Sequence, residues 1–219
     1  GLLSTGVTSF LPTTLTSSYE QLLAVTENIG ERYKEATGAK IRGIYFEGPY
    51  FTEKYKGAQN PAYMKDPSME EFRAWQKAAN GLLNKIALAP EREGVEEFVR
   101  TITGEGVTVA LGHSNATFEE AKKAVDAGAS VWVHAYNGMR GLTHRELGMV
   151  GAMYELPHTT AELICDGHHV DPLACDILMK QKGKENVALI TDCMTAGGLE
   201  DGDTCLGNSR LWSLKGLLA

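Results

Sequence analysis

The chain of 219 residues is 43% hydrophobic and 22% charged, a composition that excludes a disordered polypeptide and suits one folded domain with a sizeable core. Its formal net charge of −7 argues against a surface for nucleic acid or anionic membranes, because such surfaces need clustered lysine and arginine. No apolar run approaches the roughly 20 residues that span a bilayer, and no basic segment precedes an apolar one at the N-terminus, so we expect a cytoplasmic protein that binds neither nucleic acid nor membrane.

Short apolar or β-branched runs alternate along the chain with longer segments of helical period, which is the pattern of repeated βα units around a parallel sheet. Seven runs are predicted to be strands, at residues 9–14, 41–47, 85–91, 107–114, 130–136, 161–166 and 187–193. Eight strands close a (β/α)8 barrel. The sequence therefore predicts an α/β fold of the (β/α)8 TIM type that is incomplete by about one unit. An open doubly wound sheet is the alternative.

Capping residues mark the ends of the predicted helices. Residues 68–71 and 117–120 are each predicted to form a capping box, in which a hydroxyl and a carboxylate satisfy free amides at a helix start. A glycine in the left-handed conformation often follows the last helical turn. We therefore expect three helices to end at glycines: the first, at residues 18–37, at Gly38, and two later ones at Gly128 and Gly183.

Residues with metal-ligating side chains follow the predicted strands. They are Glu47 after the second run, His113 after the fourth, His134 after the fifth, Asp166, His168 and His169 after the sixth, and Asp192 after the seventh. The carboxyl ends of barrel strands open on one face, so these side chains are expected to converge. One carboxylate and two imidazoles suit a divalent cation and leave a position for water. The pattern indicates a hydrolytic metal centre.

Each of these residues taken alone also has a structural interpretation. An acid before Gly-Pro could serve a turn, and a single histidine at a strand end could bond a backbone carbonyl; their joint occurrence favours the metal centre. His144 and His158 lie in loops away from the strand ends and are expected to be solvated or to pack. His168 and His169 are adjacent, so only one of them is expected to face the site. The four cysteines form no C-x-x-C pair, so no thiolate site is expected.

The candidate residues lie in ordered blocks: Phe46-Glu-Gly-Pro49, Lys56-Gly-Ala58, Leu111-Gly-His-Ser-Asn-Ala-Thr117, His134-Ala-Tyr-Asn-Gly-Met139, Arg145-Glu146, Asp166-Gly-His-His-Val170 and Thr191-Asp192. These blocks resemble the N-acetylglucosamine-6-phosphate deacetylases of the amidohydrolase superfamily, and the resemblance extends over residues 5–203. It implies hydrolysis of the acetamide of N-acetyl-D-glucosamine 6-phosphate to D-glucosamine 6-phosphate and acetate. It also implies a homodimer for the full-length protein.

The resemblance also implies a role for each position. Glu47, His113 and His134 match the ligands of one divalent metal ion, which could be zinc, iron, manganese or cobalt; Asp192 matches the catalytic acid/base; His169, Asn137, Gly138 and Arg145 match substrate-binding positions, with Arg145 at the phosphate. Residue chemistry agrees, because a carboxylate can move a proton from water to the departing amine and a guanidinium matches phosphate bidentately. A surface ion pair with Glu146 is the alternative for Arg145.

The sequence departs from the family pattern at several points. Gln59 stands where many relatives have histidine, Gly138 where alanine is more frequent, and Cys193 where alanine is common. The family's first strand, which can carry ligands for a second metal ion, and its small β-sandwich domain are expected to be missing. We therefore expect a chain truncated at both ends, with a partial barrel at residues 1–207. Residues 208–219 lose the resemblance abruptly and are expected to be an atypical tail produced by a frameshift.

Two other functions are compatible with these patterns. A different amidohydrolase, acting on another amide or a cyclic ureide, would use the same metal face without a phosphate site, so Arg145 discriminates between the two hydrolases. An inactive fragment of such an enzyme is the third reading, and metal analysis together with an acetate-release assay would separate it from the others.

Overall fold

Parallel strands and helices alternate along the computed structural model, which describes residues 2–194, 197, 200, 202–206 and 209–213. The strands are β1 (Ser9–Phe10), β2 (Thr13–Thr14), β3 (Lys40–Ile41), β4 (Ile44–Glu47), β5 (Leu83–Leu88), β6 (Thr108–Leu111), β7 (Val131–Trp132), β8 (Thr160–Ile164), β9 (Val187–Ile190), β10 (Gly202–Leu206) and β11 (Ser209–Ser213). The α-helices are α1 (Tyr19–Arg32), α2 (Met69–Ala78), α3 (Val95–Gly104), α4 (Phe118–Asp126), α5 (Gly148–Glu155) and α6 (Pro172–Lys182).

Seven strands form one parallel sheet in the order β2-β4-β5-β6-β7-β8-β9. Neighbouring strands of this sheet follow one another in the order of the chain, whereas in a doubly wound sheet the strand order reverses at a switch point. The alternative fold is therefore wrong, and the chain is an incomplete (β/α)8 TIM-type barrel, as the sequence predicted. Within the part of the chain that the structure describes, β2 and β9 are the two edges of this sheet.

The first two predicted strands are each divided in the structure. Residues 9–14 form β1 and β2, and residues 41–47 belong to β3 and β4. Pro12 separates β1 from β2, and it cannot donate a backbone hydrogen bond to a ladder. Gly43, with φ +156°, separates β3 from β4. As a result β1 pairs with β3 in a small separate sheet, and only Thr13–Thr14 of the first run joins the barrel.

The two predicted capping boxes have different outcomes. At α4 the box is complete, because the Glu120 amide donates to Thr117 Oγ1 at 3.3 Å and the Thr117 amide donates to Glu120 Oε2 at 2.8 Å. At α2 only half of it forms: the Glu71 amide donates to Ser68 Oγ at 3.3 Å, but the Glu71 carboxylate pairs with Lys65 instead. The neighbouring lysine thus offers Glu71 a charged partner in place of a backbone amide.

The glycines predicted to end helices are confirmed in two of three cases. Gly128 has φ +123° two residues after α4, and Gly183 has φ +75° directly after α6. The prediction for Gly38 is wrong. Helix α1 ends at Arg32 and continues as a 3-10 turn at Tyr33–Glu35, so Gly38 lies beyond it.

Two buried clusters hold the barrel together. The larger lies between sheet and helices and includes Trp75, Phe46 and Phe98, of which Trp75 and Phe46 are fully buried. The smaller contains Tyr45, Phe51, Ala87, Ala110 and Val133. Side chains along a barrel strand point alternately inward and outward, and Tyr45 and Ala87 occupy inward positions of their strands. None of the helices in the described residues is long and apolar enough to cross a membrane.

Strands β10 and β11 form an antiparallel hairpin outside the main sheet. The part of the predicted tail that the structure describes, Ser209–Ser213, is therefore a β-strand. Asn208 and residues 214–219 lie outside the described residues, so the proposed frameshift and the domain division at residue 207 stay predictions.

Candidate metal centre

Three polar side chains come together at the carboxyl ends of neighbouring strands. Glu47 is the last residue of β4, whereas His113 and His134 each follow a strand, β6 and β7, by two residues. All three are buried, with 5%, 7% and 4% of their surface exposed, respectively. Side chains with this much charge or polarity are seldom buried without a partner. Their burial therefore points to a shared function at this end of the barrel.

The three side chains offer ligand atoms that all lie within 4.8 Å of one another. His113 Nε2 is 2.9 Å from Glu47 Oε1 and 3.1 Å from His134 Nε2, and His134 Nε2 is 3.6 Å from Glu47 Oε1. Two ligands of a tetrahedral ion, each bound at about 2.1 Å, are roughly 3.4 Å apart. The donor set thus fits a divalent cation by both type and spacing.

Backbone carbonyls fix the orientation of both imidazole rings. His113 Nδ1 lies 2.8 Å from the carbonyl oxygen of Tyr55, and His134 Nδ1 lies 3.0 Å from that of Asn137. A carbonyl only accepts, so each Nδ1 carries the hydrogen and each Nε2 presents a lone pair. Lone pairs that face each other and the carboxylate repel, so the cluster needs either a cation between them or a proton on an imidazole that hydrogen-bonds Glu47. Such outer hydrogen bonds are typical of histidines that bind metals.

The pKa shifts within the cluster follow the same preference for positive charge. Burial would raise the pKa of Glu47, but hydrogen bonds with His113 and His134 outweigh it and lower the pKa to about 2. Burial lowers the pKa of His134, yet its hydrogen bond and attraction to Glu47 raise it overall. The carboxylate is therefore ionised at neutral pH and attracts a cation.

The backbone at the site is partly left-handed. His113 has φ +46°, His134 has φ +28° and Asp192 has φ +51°. Few residues other than glycine adopt this region, and such strain is often found at functional sites. Gly138 has φ +59°, and a Cβ atom there would lie 3.1 Å from His113 Nδ1. The loop after β7 thus packs closely on the His113 ring.

Asp192 follows β9 by two residues and lies close enough to the cluster to interact with its charges. Desolvation of its carboxyl group and the negative charge of Glu47 raise the pKa of Asp192, against the opposing influence of nearby histidines. The structure therefore brings Asp192 towards the Glu47 cluster, although it is not among the three converging ligands. Its assignment as acid/base stays a prediction.

The loop after β8 orders one of its two adjacent histidines. His169 Nδ1 lies 2.7 Å from Asp166 Oδ2, whereas Asp166 Oδ1 accepts the backbone amides of His168 and His169 at 2.8 and 2.9 Å. The hydrogen bonds from these two backbone amides, of which that from His169 has the larger effect, hold the pKa of Asp166 well below its usual range. His169 and Asp192 follow the neighbouring strands β8 and β9, and the two residues interact electrostatically. His144 and His158 are exposed, as expected.

The predicted substrate-binding residues in the loop after β7 have other contacts. Asn137 Nδ2 donates to the carbonyl oxygens of His134 and Ala135, each at 3.3 Å, so this side chain also shapes its own loop. Arg145 is exposed, and its guanidinium has no ion-pair partner among the described residues. The alternative ion pair with Glu146 does not form, because the Glu146 carboxylate accepts the amides of Phe118 and Gly148.

Sequence reasoning missed the second layer around the site. Gln59 is only 4% exposed, and its amide contacts Glu47 directly. Lys85 and Glu162 form a nearly buried ion pair inside the barrel, and the Lys85 ammonium lies 4.1 Å from the centre of the Tyr45 ring. Strand alternation could have indicated these interior residues. Tyr45 is two residues before Glu47 and therefore points to the same side of β4, and Lys85 and Glu162 each interrupt an otherwise apolar strand. Burial raises the pKa of Tyr45.

A parallel barrel whose strand ends converge on one carboxylate and two imidazoles defines the amidohydrolase type of TIM barrel. Comparison of the chain with known proteins identifies the members of this class that it resembles. No family model matches the chain. It is 42% identical to the N-acetylglucosamine-6-phosphate deacetylase of Vibrio furnissii over 97% of the chain and 53% of that protein. It is 43% identical to the N-acetylgalactosamine-6-phosphate deacetylase of Escherichia coli O157:H7, over 90% of the chain and 52% of that protein.

A solved structure agrees with these sequence matches. The N-acetyl-D-glucosamine-6-phosphate deacetylase of Mycobacterium smegmatis, as a variant in complex with N-acetyl-D-glucosamine-6-phosphate, superposes with a TM-score of 0.91 at 32% identity. The alignment covers 96% of the chain and 55% of that protein. Over 97% and 96% of its length, respectively, the chain is thus similar to these two N-acetylglucosamine-6-phosphate deacetylases, and it spans about half the length of the curated relatives it matches.

Proposed function

We propose that the chain carries the metal site of an enzyme that hydrolyses the acetamide of N-acetyl-D-glucosamine 6-phosphate to D-glucosamine 6-phosphate and acetate. The observation that carries the proposal is the convergence of Glu47, His113 and His134, whose Nε2 atoms lie 2.9 and 3.6 Å from Glu47 Oε1. Relatives named for this activity across bacteria and mammals support it.

The residues of the cluster have separate tasks in this reaction. Glu47, His113 and His134 would hold one divalent cation through an oxygen and two nitrogens. When bound, this ion supplies a Lewis acid that polarises the amide carbonyl and lowers the pKa of water. Asp192 accepts a proton from the attacking water and passes it to the amine nitrogen, which must be protonated to leave. Its position at the end of β9, near the cluster, suits this role.

Substrate recognition is assigned to the loops after β7 and β8. Arg145 offers a planar donor pair to the phosphate, and no described residue competes for its guanidinium. His169, whose Nδ1 contacts Asp166, can present Nε2 to the sugar. Asn137 and Gly138 border the imidazole rings of the cluster and would contact the substrate beside it.

A second substrate is favoured by one specific observation. The chain is as similar to an N-acetylgalactosamine-6-phosphate deacetylase, at 43% identity, as it is to the N-acetylglucosamine-6-phosphate deacetylase of Vibrio furnissii, at 42%. The two sugars differ only in the configuration of one hydroxyl, which neither the cluster nor Arg145 needs to contact. Both phosphorylated sugars therefore belong in the assay.

The experiment that tests the proposal measures metal content and acetate release by the same preparation. Elemental analysis should find about one divalent ion per chain, and acetate should appear with either phosphorylated sugar. Absence of acetate release with bound metal would refute the deacetylase and favour another amide or ureide hydrolase. Absence of both would favour the inactive fragment.

Several finer statements belong to the same proposal. The ligand set accommodates zinc, iron, manganese or cobalt, and a second ion would need ligands beyond the cluster. A cytoplasmic location and a homodimer are proposed together with the activity. Size-exclusion chromatography of the full-length protein tests the dimer.

A further inference from the structure

A buried glutamine lies between the edge of the sheet and the metal cluster. Gln59 belongs to the loop after β4 and is 4% exposed. Its Oε1 accepts the backbone amide of Thr16 at 2.6 Å, and its Nε2 donates to Glu47 Oε1 at 3.1 Å. Thr16, itself buried, follows the edge strand β2 by two residues. The side chain therefore bridges two strand ends through one amide.

Chemistry allows only one orientation of this amide. The Thr16 amide can only donate, so it requires the oxygen of Gln59, and an ionised carboxylate can only accept, so it requires the nitrogen. A flipped Gln59 would oppose donor to donor and acceptor to acceptor. The same Glu47 oxygen lies 2.9 Å from His113 Nε2 and is thus the one aimed at the cluster centre. Gln59 acts on the atom that would bind the cation.

We propose that Gln59 is a positioning residue that holds the Glu47 carboxylate in the orientation needed to bind the cation. This inference rests on the proposed metal-dependent function. Without the amide, the Glu47 side chain could rotate away from the two imidazoles, because its other contacts are those with His113 and His134 themselves. Hydrogen bonds to metal-binding carboxylates typically change metal affinity 10- to 100-fold.

The test compares Gln59→Met with Gln76→Met. Methionine keeps nearly the length of glutamine and removes both hydrogen bonds. Gln76 offers a matched control, since its amide also forms two hydrogen bonds, to the carbonyl and amide of Leu83 at 2.8 and 3.1 Å, far from the cluster in sequence. Zinc affinity is measured by competition with a chromophoric chelator, and the visible spectrum of Co²⁺ reports the ligand geometry. Circular dichroism and thermal unfolding report folding.

We expect Gln59→Met to weaken zinc binding about 10- to 100-fold and to alter the Co²⁺ spectrum, while Gln76→Met binds as the parent does. Equal affinity in Gln59→Met and the parent would overturn the proposal, as would an equal loss in both variants. If Gln59→Met does not fold, Gln59→Asn replaces it, because a side chain one methylene shorter cannot reach both partners. A parent that binds no cation overturns the positioning role and the metal centre together. Metal binding without acetate release refutes only the proposed function.

Discussion

Thr159 is the centre of a buried polar network that supports the strands of the site. It is 2% exposed, and its Oγ1 accepts Trp132 Nε1 and Lys182 Nζ, each at 2.8 Å, while donating to the Leu156 carbonyl at 2.9 Å. Trp132 ends β7, the strand that leads to His134, and Lys182 ends α6. One hydroxyl therefore joins β7 and α6 to the connection between α5 and β8.

Thr159→Val keeps the shape of the side chain and removes this hydroxyl. The indole N–H of Trp132 is then buried without an acceptor, which costs about 1–3 kcal/mol. Lys182 keeps the Leu156 carbonyl at 3.0 Å but loses its second partner, and hydrogen bonds of charged groups contribute roughly 1.5–3 kcal/mol. Partial relaxation of the lysine reduces the sum, so we expect the free energy of unfolding to fall by about 2–4 kcal/mol.

Thr26→Val is the matched control. Thr26 is fully buried in α1, and its hydroxyl donates only to the Leu22 carbonyl, which sits four residues earlier in the helix. No buried donor loses its acceptor, so the expected loss is within about 1 kcal/mol. Urea unfolding followed by circular dichroism measures both variants. A loss in Thr159→Val no larger than that in Thr26→Val would refute the network. If Thr159→Val lowers the free energy of unfolding less in a Lys182→Met variant than in the parent, the difference is the contribution of the Thr159–Lys182 hydrogen bond.

Three further predictions concern the site. A divalent cation at 100 times its dissociation constant should stabilise the chain by about 2.7 kcal/mol and raise Tm by roughly 5–11 °C, as measured by scanning fluorimetry. Glu47→Gln should abolish this Tm shift, and an unchanged shift would exclude Glu47 as a ligand. Asp192→Asn should lower kcat by about 10²- to 10⁴-fold at unchanged metal content, and loss of the metal would make Asp192 a ligand. Arg145→Ala should raise KM for the phosphorylated sugar and spare the unphosphorylated one; equal effects on both would contradict phosphate binding.

The strands and their order were predictable because hydrophobic runs separated by capped helices repeat along the chain. The division of residues 9–14 into two strands was harder to predict, although the sequence shows Pro12 there, which has no backbone N–H to donate to a neighbouring strand. The half-formed box at α2 depended on Lys65, a residue close to Glu71 in space whose side-chain direction no sequence pattern specifies. Local motifs predict local hydrogen bonds only when no tertiary partner competes.

The candidate site shows the same limit. Glu47, His113 and His134 could be placed together because parallel strands share one end. Gln59 could not, since its position follows from the path of the loop after β4 and from the buried backbone amide of Thr16, which needs an acceptor. At the sequence level it was only a departure from the family pattern. Its role depends on two hydrogen bonds whose partners are 43 and 12 residues away.

The left-handed backbone at His113, His134 and Asp192 connects residue type with chain geometry at the site. A residue in this conformation turns the chain sharply after its strand and costs roughly 1–2 kcal/mol. Histidine and aspartate are enriched several-fold there over most other residues, because their polar side chains tolerate the region. The residue types that can bind a cation are thus also those that tolerate the turn. Because Nδ1 of each histidine donates to a backbone carbonyl, the strained turns are fixed by the protein itself. The cluster is therefore organised by the barrel, and a cation would bind to ligands that the fold has already oriented.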